Sequence, residues 1–280
     1  MKKIFLPLFL AACVGASAQK VSGKLSFQPG QKLEVVTNTS TTTEMMMGES
    51  TSSSVSTEVY EVKGASAAGT TLERSMKKLK LDLSIMGQEK SIDSDKPEDL
   101  KGMLGEPVKD ILNAKDEFTV DASGTITATK DQGKKKSADA GMAGMFLQGM
   151  NMGATVTKGS PSFFKVLPAY EVGKGDSWND TVSVAGTSSV TNYSVKDITD
   201  TEVLLDFTSN GNIDTKQDMM GMSVSVKGTV KSAGTIVLDK ATGLIKQRDF
   251  TTTTDSAANL NGQEMNTKST TKAAITVKPI

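Results

Sequence analysis

The chain has 280 residues, with 32 basic and 32 acidic side chains, 15 methionines, one cysteine and no histidine. Balanced charge implies no nucleic acid or other polyanionic partner. The missing histidine removes Ser-His-Asp and Cys-His nucleophiles, the commonest metal ligand and the usual general base near neutral pH.

Residues 1–18 read as a secretory signal: Lys2 and Lys3, an apolar run from Ile4, then small residues ending Ala16-Ser17-Ala18. Two cleavage readings stay open. Ala-x-Ala before Gln19 suits soluble export to the periplasm or cell envelope. Leu10-Ala11-Ala12-Cys13 resembles a lipobox, whose cysteine becomes an acylated N-terminus; Cys13 is then the lipidation residue and the one route to a membrane anchor. Cleavage after Ala18 leaves residues 19–280 without cysteine, so no disulfide staples the exported chain. No later stretch reaches the roughly 18 apolar residues that a membrane-spanning helix needs.

Beyond the signal, alternation dominates. Residues 32–37, 55–62 and 79–85 place apolar side chains at every second position, the pattern of strands buried on one face. Residues 117–129 read as a hairpin turning at Ser123-Gly124. Further strands are expected at 182–185, 190–195, 203–207, 224–230, 235–238, from Leu244 onward, and at 274–277. Short connections between them imply antiparallel neighbours, and the abundant Thr and Ser suit the exposed face of a pleated sheet.

Two segments break the alternation. In 97–112, Leu100, Leu104, Val108 and Ile111 fall on one helical face, which predicts a helix interrupted near Gly105 and Pro107. In the Met-rich segment 141–152, Met142, Met145, Phe146, Gly149 and Met152 take helical spacing. Glycines at 141, 144, 149 and 153 each cost a helix about 1 kcal/mol relative to alanine, so this second helix reads as a weakly stable lid or flap. Residues 158–178 form a crossover with bends at Pro161 and Pro168, and Phe163, Phe164, Tyr170 and Trp178 are its expected core anchors. The crossover opens the second of two β-rich halves, 19–157 and 158–280, which form two units or one domain. The fold class is mainly β: an antiparallel curved sheet or open half-barrel, or two sheets, with one or two covering helices.

Leu167-Pro168 followed by Val172-Gly173-Lys174-Gly175-Asp176-Ser177-Trp178, with Gly234-Thr235-Ile236-Val237-Leu238-Asp239-Lys240-Ala241-Thr242-Gly243-Leu244-Ile245 downstream, resembles exported bacterial envelope proteins grouped as domain of unknown function 6263. The resemblance implies a β-rich secreted fold over nearly all of the exported chain. It carries no assigned activity, so no catalytic residue transfers with it.

The acidic groups Asp93, Asp95, Glu98, Asp99 and Asp176, Asp180 read as loop and helix-start residues. Neither group has EF-hand spacing, and no glycine-rich phosphate loop joins a strand to a helix. No enzyme activity, catalytic residue, metal or cofactor is therefore assigned. The methionines are the unusual inventory, and Glu44-Met45-Met46-Met47-Gly48 and Asp218-Met219-Met220-Gly221-Met222 repeat an acidic residue, methionines and a glycine between strands. Flexible thioethers fill core gaps, or form a pliable surface for a lipid-like apolar molecule or an envelope protein, or bind Cu(I). The candidate surface is Met45, Met46, Met47, Met142, Met145, Phe146, Met150, Met152, Met219, Met220 and Met222. Binding of an apolar ligand or protein partner is the leading expectation; Cu(I) binding and a ligand-free scaffold are the alternatives.

Overall fold

The computed structural model describes residues 19–45, 48–85, 87–102, 105–130, 156–184, 186–219, 222–260 and 263–280. The first half contributes β1 (Lys20–Val21), β2 (Lys32–Met45), β3 (Gly48–Ser66), β4 (Gly69–Ile85), β5 (Gln88–Asp93), β6 (Lys115–Val120) and β7 (Ile126–Thr129). The second contributes β8 (Val172–Gly173), β9 (Ser177–Val184), β10 (Thr187–Ile198), β11 (Glu202–Met219), β12 (Met222–Asp239), β13 (Ile245–Leu260) and β14 (Gln263–Pro279). All but β1 and β8 join one antiparallel sheet ordered β7-β6-β4-β3-β2-β14-β13-β12-β11-β10-β9, with β5 beside the far end of β4. The halves are continuous because β14, the last strand, pairs with β2 from Thr267↔Met45 to Pro279↔Leu33. The sheet curves without closing into a barrel.

The strands outrun their apolar cores. The expected strands 224–230 and 235–238 are one strand, β12, because Lys231–Gly234 keep the ladder with Thr251, Thr252 and their neighbours on β13. Besides Ser66↔Gly69 at the opposite end, five hairpins close with two-residue links, at Met45↔Gly48, Ile85↔Gln88, Val184↔Thr187, Met219↔Met222 and Leu260↔Gln263. Antiparallel alternation puts all five tips at one end of the sheet. The other end, the base, holds the core.

Residues directly opposite across strands share a face, which defines an inner face row by row. One row runs Trp178, Tyr193, Phe207, Gly234, Phe250, Ala273, Thr39, Ser54, Leu81. The crossover packs against this face. Phe163 touches the clusters of both half-sheets, and fully buried Phe164 meets Tyr60, Phe27 and Phe163 edge to face. Trp178 donates its indole N–H to the Val166 carbonyl at 3.3 Å. Tyr170, expected in this core, is instead 59% exposed. It stands between Pro168 and β8, where the chain leaves the core for the surface.

Bulges bend the sheet at its base. The ladder skips Lys63, Lys77, Lys196 and Lys246, plus Thr127. An extra residue stands out of the ladder and increases local twist, and all four lysines are exposed, where a charged terminus costs nothing to hydrate. Three of them reach carboxylates: Lys63 to Glu61 and Glu73, Lys196 to Asp206, Lys246 to Glu202.

The predicted helix over 97–112 is shorter and later: α1 spans Gly105–Asn113. Residues before it form tight turns, with amide-to-carbonyl bonds Lys96 to Asp93, Asp99 to Lys96 and Lys101 to Glu98. Pro107 does not interrupt α1; it lies in the first turn, where a missing N–H removes no intrahelical bond. Val108 is fully buried, and Leu100, Ile111 and Leu112 pack with it on Met76, Leu79, Leu81, Leu83 and Ile92. The second helix, over 141–152, lies outside the described residues.

Gly234 sits where backbones approach closely. A Cβ there would stand 2.0 Å from the Asp249 carbonyl oxygen and 2.6 Å from Phe250 Cβ. Gly234→Val is expected to lower unfolding free energy by about 2–3 kcal/mol. Urea titration checks it, and an unchanged midpoint would contradict the tight packing.

Candidate functional site

Charge is sorted between the faces. At the register positions of the inner face on β2 and β10–β14, Arg248 is the one charged residue among the described ones. The outer face of the same strands carries Asp206, Asp214, Lys227, Lys231, Asp255 and Lys272. Above the aromatic row the inner face presents a row of hydroxyls: Thr191, Ser209, Ser232, Thr252, Thr271, Thr41, Ser52. Neighbours in it satisfy one another, Thr191 with Ser209 at 2.9 Å, Ser232 with Thr252 at 2.7 Å and Thr41 with Thr271 at 2.8 Å. Beyond the hydroxyls lie Val230 with Gly211, Ile213 with Gly228, and Val226 with Ala258 and Met265. Packed core below, a hydroxyl belt, then small apolar residues on β11 and β12 beside further hydroxyls on β13, β14 and β2 (Thr254, Ser269 and Thr43, then Ser256 and Thr267) make this face a neutral surface toward the tips.

Arg248 stands at the foot of that surface. Its guanidinium carbon lies 4.7 Å from the Phe207 ring centre and 5.2 Å from that of Phe250. Gly234 pairs with both phenylalanines and places no side chain between their rings. Among the described residues no carboxylate forms a salt bridge with Arg248, and its Nε is shielded from solvent without a hydrogen-bond acceptor. Burial pulls its pKa down, against an opposing effect of Tyr193, whose own phenol burial pushes up.

The first half holds a second polar group on the inner face. Asp116 accepts from Arg74 Nη2 at 2.6 Å and Nε at 3.2 Å, with both side chains 15% exposed. Tyr60 donates its hydroxyl to Glu58 at 3.4 Å. Burial holds the Glu58 carboxyl above the usual range, opposed by Arg74 and the Tyr60 bond. A carboxyl raised on folding stabilises the folded state below the unfolded pKa of about 4.3, and that contribution is lost as pH rises through the folded value. Glu58→Gln should therefore raise the melting temperature at pH 7 by a few degrees. Melting curves at descending pH should show that gain shrinking toward pH 4; a gain independent of pH would contradict the buried acid.

Of the methionines expected at a binding surface, Met45 takes an inner-face position in the row Thr267, Ser256, Gly228, and Met219 and Met222 close the β11–β12 tip. Met222 stands six positions past Gly228 on β12, roughly 20 Å farther along the strand. The structure therefore does not bring these two tips together. Met46, Met47, Met142, Met145, Phe146, Met150, Met152 and Met220 lie outside the described residues, as does Cys13. In the acidic groups Asp93 accepts from the Asp95 amide, Asp99 from the Asp93 amide and Asp176 from the Gly173 amide, but Asp180, expected in a loop, lies within β9 opposite Thr191, because the ladder to β10 runs through it. Among the described residues no three His, Cys, Asp or Glu side chains gather as metal ligands. A groove of about 650 Å³ near the tips draws its charged lining, Glu44, Lys227, Asp255 and Lys268, from outer-face positions.

Arg248, Glu58, Arg74 and Asp116 were not apparent as site residues in the sequence. The available signal was a charge at strand parity shared with apolar residues, Arg248 with Phe250 and Glu58 with Tyr60.

The family of unknown function DUF6263 matches residues 67–245, from the β3–β4 turn to the start of β13. The chain belongs to the DUF6263 family. No curated protein sequence matches this DUF6263 protein. Among solved structures, lipovitellin, described for its lipid–protein interactions, is similar at a TM-score of 0.50 and 10% identity, over 90% of the DUF6263 chain and 25% of lipovitellin. The chain thus spans about a quarter of lipovitellin's length, and the likeness is one of fold. An outer membrane channel from Pseudomonas putida F1 aligns over 91% of the chain and 98% of its own at TM-score 0.25 and 8% identity. The β domain of the Bordetella autotransporter BrkA does so over 88% and 99% at TM-score 0.27 and 7% identity. Scores that low carry no argument. Among the described residues of the DUF6263 protein, no helix is long and apolar enough to cross a membrane.

Proposed function

We propose that this DUF6263 protein is an exported, non-enzymatic envelope protein that holds a lipid-like ligand on the inner face of its sheet. The observation that carries the reading is the sorting of charge: the outer face of β11–β14 is charged, while the inner face above the base is hydroxylated and apolar. Water alone gives an open sheet no reason to keep charges off one of two faces. A ligand with an apolar body does, because each charge on that face would have to be desolvated on binding. The fold shared with lipovitellin, whose structure is described for lipid–protein interactions, supports the same reading.

Native mass spectrometry of the protein purified from its own cell envelope tests it. Added mass that extracts into organic solvent as lipid is expected. A bare polypeptide that also fails to bind dodecanol or dodecanoate would overturn the reading in favour of a scaffold. The same spectrum separates a chain starting at Gln19 from one starting at acylated Cys13.

A further inference from the structure

Arg248 is positioned at some energetic cost. Counting alternation from buried Ile245 puts Gln247 and Asp249 inward and Arg248 outward. The ladder pairs Leu238 with Ile245 but Val237 with Gln247, so the bulge at Lys246 reverses the parity and turns Arg248 onto the inner face. There it stands between Ile236 and Ile275 in its own row and over Phe207 and Phe250 in the next. The rings supply cation–π attraction to the guanidinium faces and leave its edge, where the N–H donors point, unmatched. A cation withdrawn from water is held economically only with a counter-charge, and none of the described residues supplies one. Asp180, on the same face, is four strands away on β9, roughly 19 Å.

We infer that Arg248 receives the anionic head, a carboxylate or phosphate, of an amphiphile whose apolar chain runs along β12 toward the tips. The planar N–H fork of arginine matches the paired oxygens of either head. Directly toward the tips Ser232 and Thr252 offer hydroxyls to a head or its ester linkage, and past them Val230, Gly228 and Val226 form a strip beside Gly211 and Ile213. Gly211 and Gly228 add no side chain of their own to that strip. This assignment rests on the lipid-binding reading above and adds the head-group chemistry to it.

Calorimetric titration of the protein with monomeric dodecanoate, dodecanol and inorganic phosphate tests the assignment. Dodecanoate should bind about tenfold or more tightly than dodecanol, as a charge-assisted hydrogen bond implies. Arg248→Gln should cost dodecanoate about tenfold or more in affinity, bringing it toward that of dodecanol, without lowering the melting temperature. Arg248→Lys, which keeps the charge but loses the fork, should fall between them and serves if the glutamine variant does not fold. Equal binding of dodecanoate and dodecanol to the wild type would overturn the head-group assignment and leave the lipid reading intact; binding of neither would overturn both. Inorganic phosphate binding as tightly as dodecanoate would make the source a free anion and overturn the amphiphile; no binding at millimolar phosphate supports it.

Discussion

Phe164→Ala is expected to lower the unfolding free energy by about 3–5 kcal/mol, the range for emptying a buried aromatic site. Phe164 is fully buried and its ring centre lies 5.4, 5.2 and 5.0 Å from those of Phe27, Tyr60 and Phe163. It belongs to the crossover, yet its cluster draws on β2, β3, β4 and β6 from the first half and on Leu244 and Ile275 from the second. With that ring gone, the base loses the wedge on which both half-sheets pack. A urea titration should show the midpoint falling with an unchanged slope. A loss under about 1 kcal/mol would mean that the site collapses freely and that the crossover is not the core of the base.

Asp116→Ala should cost about 2–3 kcal/mol, less than the full cost of stranding a buried charge because Glu58 stands near Arg74 as a second negative group. Its loss should also lower the Glu58 pKa, since Asp116 is one of the charges that raise it. Adding Arg74→Met to Asp116→Ala should recover much of the stability, as an apolar side chain suits the site better than a cation that has lost its close carboxylate. Chemical denaturation of the single and double variants measures the coupling. A double variant no more stable than Asp116→Ala alone would show that Arg74 stabilises the base by contacts other than its pairing with Asp116.

Alternation made the antiparallel class and the hairpin at Ser123-Gly124 legible, because in those stretches one face is apolar and the other polar; the Met45 and Met219 tips were legible from their repeated acidic residue, methionines and glycine between strands. It failed where both faces are polar. From Thr39 to Glu44 on β2 and from Thr251 to Asn259 on β13, Ser and Thr occupy both parities, so nothing in the pattern marks a strand twice as long as its buried part. The same polar stretches carry the hydroxyl row, which exists only once register sets Thr252 beside Thr271 and Ser232.

The site was hidden for a different reason. A bulge inserts one residue and inverts every later side chain, and the two arginines of the inner face each lie next to one: Arg74 before Lys77 and Arg248 after Lys246. Read without the bulges, Leu79 and Ile245 set a parity that turns both arginines outward. The helix slipped for a local reason, since Leu100 reaches the same apolar cluster from a turn that Val108 reaches from α1, and the two mimic one continuous helical face.

On the proposed reading an amphiphile lies on the inner face with its head at Arg248. Photo-crosslinking with a diazirine-bearing dodecanoate, followed by peptide mapping, tests it most directly. Adducts that fragmentation of the peptides places on inner-face residues such as Ile213, Val226, Val230 and Ala258, and that unlabelled dodecanoate competes away, are expected. Adducts on outer-face residues such as Lys227 or Asp214, or labelling that unlabelled dodecanoate does not displace, would contradict the account.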